Sequence, residues 1–504
     1  MAVDSDDLPH TSGAQLLPTT FYVLIALRRP QDLQKSSHPQ ISTPAGKTVI
    51  KHSLMNLAGF GVPLVVAFLC IPLLIKAMGP DQFGILTLGW MFLGYFSIFD
   101  LGLSRALTRE VSEGLSQGRK DIKSLIWSTL ISTFVLGSLG GLLLAIGSPY
   151  LAHHLLKIPE GYETPTLHSF LIIAALIPFV ISMTGLRGVL EAQQKFKYIN
   201  SIQIISGVFN YALPLAIYSF YPSVEYAVAT LALTRLLGFL AYLYSVAGSM
   251  EAMEGSLSFH LESVKKLLRY GVWITISNVL SPLMTYADRF LIGAIVSVAA
   301  VTYYVTPFDM ITKIWILPTA ITTVLFPIFS AQKTASNPIN HKYFFRSTIL
   351  LFSLLVPLSF LLIAFAHPLL SLWISEDFAN ESATALSIFS FGIVYNAAAF
   401  VPTSYIQAMN RPSWTAKLHI AEAVLYIGLL YWFTHTYGIL GAAIAWAFRV
   451  LVDFLFLMLF AQWELKLAKK KWALIFVGPL VHISALFIWY YSYGTLTVDL
   501  NLRF

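Results

Sequence analysis

The chain has 504 residues, of which 57% are hydrophobic and 11% charged, and its mean hydropathy is +0.71. This composition excludes a soluble globular protein and is typical of a polytopic helical membrane protein. The formal charge of +7 needs no nucleic-acid partner, because loops rich in Lys and Arg on the cytoplasmic side account for it. The single cysteine, Cys70, lies within an apolar stretch, so no intramolecular disulfide can form.

The first 46 residues differ from the rest of the chain. They hold four aspartates and five prolines among scattered serines and threonines. This composition predicts a disordered tail over residues 1–46. The apolar stretch 16–27 within it is too short to span a bilayer, which needs about 20 residues.

From residue 53 onward, apolar stretches long enough to span a membrane follow one another. We predict thirteen, with the N-terminus inside the cell and the C-terminus outside. In chain order they are 53–76, 83–104, 124–147, 167–187, 199–221, 225–247, 270–295, 300–328, 347–368, 382–408, 414–434, 437–462 and 472–493. Pro479 interrupts the last of these, so twelve spans plus an extra helix is an equivalent description.

The Lys and Arg residues fix the predicted orientation. Of the 32, twenty-five lie in alternate gaps between the spans, and the intervening gaps with the C-terminal tail hold only Lys76, Lys157 and Arg503. Because basic loops stay cytoplasmic, this alternation predicts which gaps face the inside. The remaining four, Arg235, Arg289, Lys313 and Arg449, fall within spans. Charge is costly there and is a functional-site hypothesis by default.

The sequence predicts that the chain consists of two related halves. The segment 259–268 alternates apolar and basic residues and predicts an amphipathic helix at the inner surface. The segments 227–235 and 441–449 align at an offset of 214 and place Arg235 over Arg449. Both halves begin on the same side, so the predicted repeat is parallel. The predicted units are a first six-helix bundle over 47–248, a linker helix over 249–269, a second bundle over 270–463, and a basic loop with an extra helix over 464–504.

Acidic residues within the spans match the four cations in number: Asp288, Asp309, Glu422 and Asp453. Asp309 with Lys313, and Arg449 with Asp453, stand four residues apart, so each pair can neutralise itself on one helix face. Arg235 has no acid within four residues of it, so it must pair with another helix or line a wet cavity. The four cations are therefore substrate-cavity candidates, and the four acids are candidates for ion coupling or gating.

Asp100 and Arg105 bracket the inner end of the second span. The two residues are either part of a helix terminus among lipid headgroups or a salt bridge that closes a cytoplasmic gate. Asp100 and Arg105 therefore remain gate candidates. The chain has no phosphate-binding loop of the G-x-x-x-x-G-K-[ST] type and no Cys/His cluster at metal spacing. We therefore predict no catalytic residue, no metal site, no cofactor and no enzymatic activity.

The segment 56–105 resembles the opening of Wzx-type polysaccharide flippases of the multidrug/oligosaccharidyl-lipid/polysaccharide exporter superfamily. The matching elements are Asn56, Pro72, the run Gly79-Pro80-Asp81-Gln82-Phe83-Gly84 and the run Phe99-Asp100-Leu101-Gly102-Leu103. A second match is the basic turn within 187–200, and the resemblance covers about 50–470. The long N-terminal tail and the odd number of spans depart from the family pattern.

This resemblance implies an all-α integral membrane fold of two six-helix bundles around a central cavity. It also implies alternating access, in which an undecaprenyl-diphosphate-linked oligosaccharide is loaded inside and released outside in exchange for protons or sodium ions. The implied partners are that substrate, the coupling ion, membrane lipid and the polysaccharide polymerase machinery, in a bacterial inner membrane. Family members place cations in the cavity, so Arg235, Arg289, Lys313 and Arg449 are the implied positions.

Three alternatives stay open at this point. A drug exporter of the same superfamily should have an acidic or apolar cavity, and the equal number of cations and acids does not decide against it. A polysaccharide polymerase or lipid-sugar glycosyltransferase usually carries a large outer loop or an acidic pair near the outer face. Here the outer gaps are short, and the only such pair is Glu376-Asp377. A non-transporting assembly subunit has no positive evidence.

Overall fold

The computed structural model describes residues 46–250, 256–331 and 338–465, with residues 473 and 477. Every regular element in those ranges is helical. In chain order the helices are α1 (Gly46–Tyr95), α2 (Leu103–Gln117), α3 (Ile122–Tyr150), α4 (Glu163–Ala192), α5 (Phe196–Tyr218), α6 (Val224–Met250), α7 (Leu261–Ile295), α8 (Val298–Thr312), α9 (Ile316–Ala331), α10 (Pro338–Ala364), α11 (Ala366–Trp373), α12 (Glu376–Ala398), α13 (Phe400–Ala408) and α14 (Pro412–Leu465). Short helical turns at Phe96–Asp100, Leu151–Leu155 and Lys313–Trp315 join some of them.

Two of these helices are too long for one crossing. Helices α1 and α14 hold 50 and 54 residues, which at about 1.5 Å per residue far exceeds a hydrocarbon core of about 30 Å. Each is interrupted by a glycine at positive φ, Gly79 at 73° and Gly438 at 58°, a conformation that glycine adopts without steric cost. In α14 the chain reverses at this point, since the rings of Trp414 and Trp463 stack with centroids 5.0 Å apart. Each long helix therefore provides two crossings.

The described residues thus contain twelve crossings. Nine helical stretches are long and apolar enough to span a membrane, and the two that include Gly79 and Gly438 count twice. Helix α7 carries the predicted seventh span and completes the set. The first twelve predicted spans all fall on helices. The predicted thirteenth, 472–493, and the predicted disordered tail lie outside the described residues, apart from residues 46, 473 and 477, which are helical.

The predicted linker helix and the predicted seventh span form one continuous helix, α7. No proline occurs between Leu261 and Pro282, so nothing in that stretch forces the helix to end. Val264 and Leu267, predicted to lie on the membrane surface, are 4% and 2% exposed and pack with the buried side chains of α2 and α3. The start of α7 is therefore part of the protein core.

Ion pairs fasten the start of α7 to α2. Glu110 accepts hydrogen bonds from Arg119 at 2.9 Å and from Lys266 on α7 at 3.4 Å. Partial burial acts to raise the pKa of Glu110, but the hydrogen bond from Arg119 and the charge of Lys266 outweigh it and leave the pKa lowered. Arg119 also lowers the pKa of Asp121, chiefly through a hydrogen bond. This cluster holds α7 against the helices that precede it.

The hydrophobic core is continuous on one side of the molecule and divided on the other. We call residues 46–250 the first half and residues 256–465 the second half. One large cluster joins the halves and contains Leu74 and Phe170 together with Val301 and Phe389. At the opposite ends of the helices, a cluster around Leu107 and Leu186 packs within the first half and the start of α7. A separate cluster around Phe344 and Tyr405 packs within the second half.

Apart from the contacts that the start of α7 makes with α2 and α3, the polar contacts between the halves lie on the same side as the joined core. Thr302 donates a hydrogen bond to the carbonyl of Pro80 at 2.7 Å, and the indole of Trp373 donates to the carbonyl of Phe68 at 2.9 Å. The loop after α3 contributes the backbone N–H of Lys157, which donates to the carbonyl of Gly293 at 2.9 Å. The halves therefore meet at one end and separate toward the other, where the start of α7 still contacts the first half, with a cleft between them.

Candidate functional site

The intramembrane charges lie at the inner limit of the joined core, where the two halves begin to separate. Arg235 comes eleven residues after the start of α6 at Val224, and Arg449 comes eleven residues after the break at Gly438. At about 1.5 Å per residue, both lie roughly halfway through a bilayer of about 30 Å. The predicted alignment of these two arginines therefore corresponds to equal depth on the last helix of each half.

Within the part of the chain that the structure describes, the hydrogen-bond partner of Arg235 is neutral. Its Nη2 donates a hydrogen bond to Oδ1 of Asn210 on α5 at 3.2 Å, and its Nε is buried without a hydrogen-bond partner. The neighbouring Tyr211 interacts electrostatically both with Arg235 and with Asp309 of the second half. The ring of Tyr211 lies 5.4 Å from that of Trp90, whose buried indole N–H has no partner. Among the described residues the positive charge of Arg235 therefore has no acidic partner, and Tyr211 links its surroundings to Asp309 of the second half.

Arg289 is held between two acids and two aromatic rings. Its Nη2 lies 2.7 Å from Oδ1 of Asp309 on α8, and its guanidinium lies 5.3 Å from the ring centre of Tyr286. The adjacent Asp288 is fully buried and accepts hydrogen bonds from the hydroxyl of Tyr304 at 2.8 Å and from the backbone N–H of Arg289 at 2.7 Å. Asp309 is 44% exposed at its side chain, whereas Arg289 is 7% exposed. Asp309 is therefore the accessible member of this group.

Lys313 does not pair with Asp309 as predicted. Helix α8 ends at Thr312, and Lys313 begins a tighter helical turn with an exposed side chain. Within the described residues no ion pair joins Lys313 to Asp309, because Asp309 binds Arg289 instead. The described residues therefore do not form the intrahelical pair that the spacing allows, and Lys313 is an exposed cation beside the group.

Arg449 does not pair with Asp453 either. Its guanidinium lies 5.1 Å from the ring centre of Tyr426 and its Nη1 lies 3.9 Å from the sulfur of Met284 on α7, while its Nε is buried without a hydrogen-bond partner. Asp453 points to the other segment of α14, where its Oδ1 lies 3.5 Å from Nε2 of His419. The side chains four residues apart diverge because each finds partners on a different helix.

Asp453 belongs to a group of three residues that could hold a cation or share a proton. One ligand atom each of His419, Glu422 and Asp453 lies within 4.8 Å of the others. Glu422 is 5% exposed, and neither of its carboxylate oxygens has a hydrogen-bond partner. A buried carboxylate with no donor costs free energy unless a proton or a cation neutralises it. His419 was not predicted, although its i,i+3 spacing to Glu422 places both on one helix face.

Asp100 caps a helix rather than pairing with Arg105. Its carboxylate accepts hydrogen bonds from the backbone N–H and the hydroxyl of Ser104 at the start of α2, and that hydroxyl also contacts Thr184 at 2.8 Å. Arg105 is exposed, and no ion pair between it and Asp100 occurs in the part of the chain that the structure describes. This geometry agrees with the interpretation that Asp100 belongs to a helix terminus. The role of Asp100 and Arg105 in a gate stays a prediction.

Several residues of this region were not predicted from the sequence. The surroundings of Arg235 include Asn210, Tyr211 and Trp90. Tyr286 lies beside Arg289, and Tyr426 lies beside Arg449. Their only sequence signal is that each is a polar or aromatic residue within an apolar span. Single residues of these types are too common in membrane helices for that signal to select them.

Together, the fold and the intramembrane charges define a multi-pass helical transporter of two halves around a charged cleft. In three dimensions the chain is similar to a multidrug resistance MATE family transporter of the MOP superfamily in an inward-facing conformation. The TM-score is 0.67 at 15% identity, over 82% of this chain and 99% of that one. It is equally similar to the lipid II flippase MurJ in an inward closed conformation, with a TM-score of 0.67 at 15% identity over 87% and 93% of the two chains.

The family follows from sequence comparison. Residues 45–333 match the model of the polysaccharide biosynthesis protein family. A candidate O-antigen transporter of Shigella flexneri is 33% identical over 422 residues, which cover 82% of this chain and 97% of that protein. The chain belongs to the polysaccharide biosynthesis protein family. The resemblance predicted from residues 56–105 and the predicted all-α membrane fold are confirmed.

Proposed function

We propose that this protein moves an undecaprenyl-diphosphate-linked oligosaccharide across the bacterial inner membrane by ion-coupled alternating access. The observation that carries the proposal is the uncompensated Arg235 at the inner limit of the cleft, with Arg289 and Arg449 across it. A diphosphate is an anion that such a group can bind with charge-assisted hydrogen bonds. The similarity to an O-antigen transporter and to the lipid II flippase supports the same substrate class.

The aromatic residues around the arginines suit the rest of the substrate. Trp90 and Tyr211 lie beside Arg235, and Tyr286 lies beside Arg289. Each ring offers an apolar face and a polar tip, a combination that matches the apolar faces and hydroxyl groups of sugars. The oligosaccharide would occupy the cleft next to the diphosphate and then pass to the polymerase machinery outside.

Of the three alternatives, a drug exporter fits the site less well than a polysaccharide flippase does. A cleft for cationic drugs needs negative charge, whereas Arg289 engages Asp309, the accessible acid, and Arg235 has no acidic partner in the described residues. The similarity to an O-antigen transporter and to the lipid II flippase favours transport over the activity of a polymerase or glycosyltransferase.

Alternating access predicts that the contacts on the side of the joined core must open. The rings of Phe68 and Trp373 stack with centroids 5.0 Å apart across the two halves. In a background that carries Cys70→Ala, the pair Phe68→Cys and Trp373→Cys should cross-link under oxidation and reduce export at least tenfold. Reduction of the disulfide should restore export. Full export by the cross-linked protein would contradict the proposal, and each single cysteine variant is the control.

The group around Glu422 is the proposed place of ion coupling. Glu422→Gln removes the charge that a proton or sodium ion would neutralise, so net export should stop while substrate binding persists. The measurement is surface polysaccharide together with retention of lipid-linked oligosaccharide by the purified protein. The matched control is Glu381→Gln, an exposed carboxylate on α12. Normal export by Glu422→Gln would remove this group from the mechanism.

The orientation of the chain remains part of the proposal. The cleft opens toward the side that carries α2 and the start of α7, which the basic residues predict to be cytoplasmic. In that orientation the structure corresponds to the state that receives substrate from inside the cell.

A further inference from the structure

A second candidate binding site lies on the lipid-facing surface of the second half, away from Arg235, Arg289 and Arg449. The two ends of α14 meet there and form a cleft of about 580 Å³. We call it the tryptophan cleft, and its lining residues are Trp414, Lys417, Leu418, Phe460 and Trp463. Trp414 and Trp463 stack with an interplanar angle of 26°.

Two cations border the tryptophan cleft. The guanidinium of Arg411 lies 4.6 Å from the ring centre of Trp414 and 5.8 Å from that of Trp463. Its Nη2 lies 3.5 Å from Glu464, and its side chain remains 41% exposed. Lys417 is exposed. Arg411 and Lys417 together exceed the single charge of Glu464, so the site is net positive.

The surface around the cleft faces lipid. Further along both segments of α14, Val424 and Leu459 are 71% and 52% exposed, and Trp463 itself is 64% exposed. Exposed apolar side chains of a spanning helix contact acyl chains, whereas tryptophans and cations at helix ends lie at the level of the headgroups. The cleft therefore combines a surface for an acyl chain with positive charge at headgroup depth.

We propose that the tryptophan cleft binds the phosphate of an anionic phospholipid from the surrounding leaflet. Arg411 is fixed over the two indoles, and Lys417 supplies a second donor from the cleft wall. A zwitterionic lipid carries its own cation and would bring that charge close to Arg411. This site is separate from the transport cleft and does not depend on the proposed function.

The test measures lipid retention by the purified full-length protein in nanodiscs that contain phosphatidylglycerol or phosphatidylcholine. The double variant Arg411→Gln with Lys417→Gln should lose affinity for phosphatidylglycerol roughly thirty-fold, since each cation near the membrane surface contributes about one decade or less. The charge-keeping variant Arg411→Lys with Lys417→Arg should bind within about threefold of the original protein. The matched control, Arg109→Gln with Lys197→Gln, removes two exposed cations from the first half and should bind normally.

Two results would overturn the proposal. One is a lack of lipid specificity at this site. It would show as equal retention of phosphatidylglycerol by the original protein and the double variant, or as no preference of the original protein for phosphatidylglycerol over phosphatidylcholine. The other is efficient cross-linking of Trp463→Cys to Ala485→Cys in a Cys70→Ala background, which would make the chain's own C-terminal segment the occupant of the cleft. A melting temperature measured for each variant shows that a loss of lipid does not come from unfolding.

Discussion

Replacing Arg235 with alanine should abolish surface polysaccharide without lowering the amount of protein in the membrane. Arg235 has one hydrogen bond to a neutral partner, Asn210, so its loss removes little native stabilisation. A charge-assisted contact to a diphosphate contributes about 1.5–3 kcal/mol, so export should fall at least roughly tenfold. The measurement is surface polysaccharide, with the variant protein quantified in isolated membranes.

Two further variants separate charge from structure at this position. Arg235→Gln keeps a donor for Asn210 but carries no charge, and it should fail like alanine. Arg235→Lys keeps the charge and should retain part of the export. The control is Arg109→Ala, which removes an exposed arginine on α2 whose partner Glu113 lies four residues away. Normal export by Arg235→Ala would contradict the role of this residue in the substrate cleft.

Replacing Arg289 with alanine should lower both stability and export. The fully buried Asp288 would lose the favourable electrostatic interaction with the charge of Arg289, and a buried charge without compensation destabilises the fold. The melting temperature of the purified protein and its level in the membrane should both fall. An unchanged melting temperature would show that Arg289 does not neutralise Asp288.

A double variant distinguishes the structural from the transport role of Arg289. Asp288→Asn with Arg289→Gln removes the buried charge together with its partner, so the protein level should recover. Export should remain lost, because the positive charge beside Asp309 is absent. Recovery of export in the double variant would restrict Arg289 to a structural role. The single variant Asp288→Asn shows how much of the change in protein level and export comes from replacing the carboxylate with a neutral amide.

The apolar periodicity and the basic residues determined the class of protein, the positions of twelve spans and the residues in which charge enters the membrane. These features follow from chain chemistry alone, because a span needs a fixed length of apolar sequence and each charge within it is costly. The break at Gly438 was also accessible, since the predicted spans 414–434 and 437–462 left only a short turn between them.

The partners of those charges were not accessible from the sequence. Helical spacing proposes only neighbours on the same helix, and it joined Asp309 to Lys313 and Arg449 to Asp453. In the structure Asp309 pairs with Arg289 of α7, and Asp453 turns to His419 across the hairpin of α14. Only the tertiary packing decides such pairs. A charge within the bilayer must be neutralised, and the packing determines which neighbouring helix brings the partner close enough. Among the described residues the same packing gives Arg235 a neutral hydrogen-bond partner, Asn210, which the helical spacing could not predict.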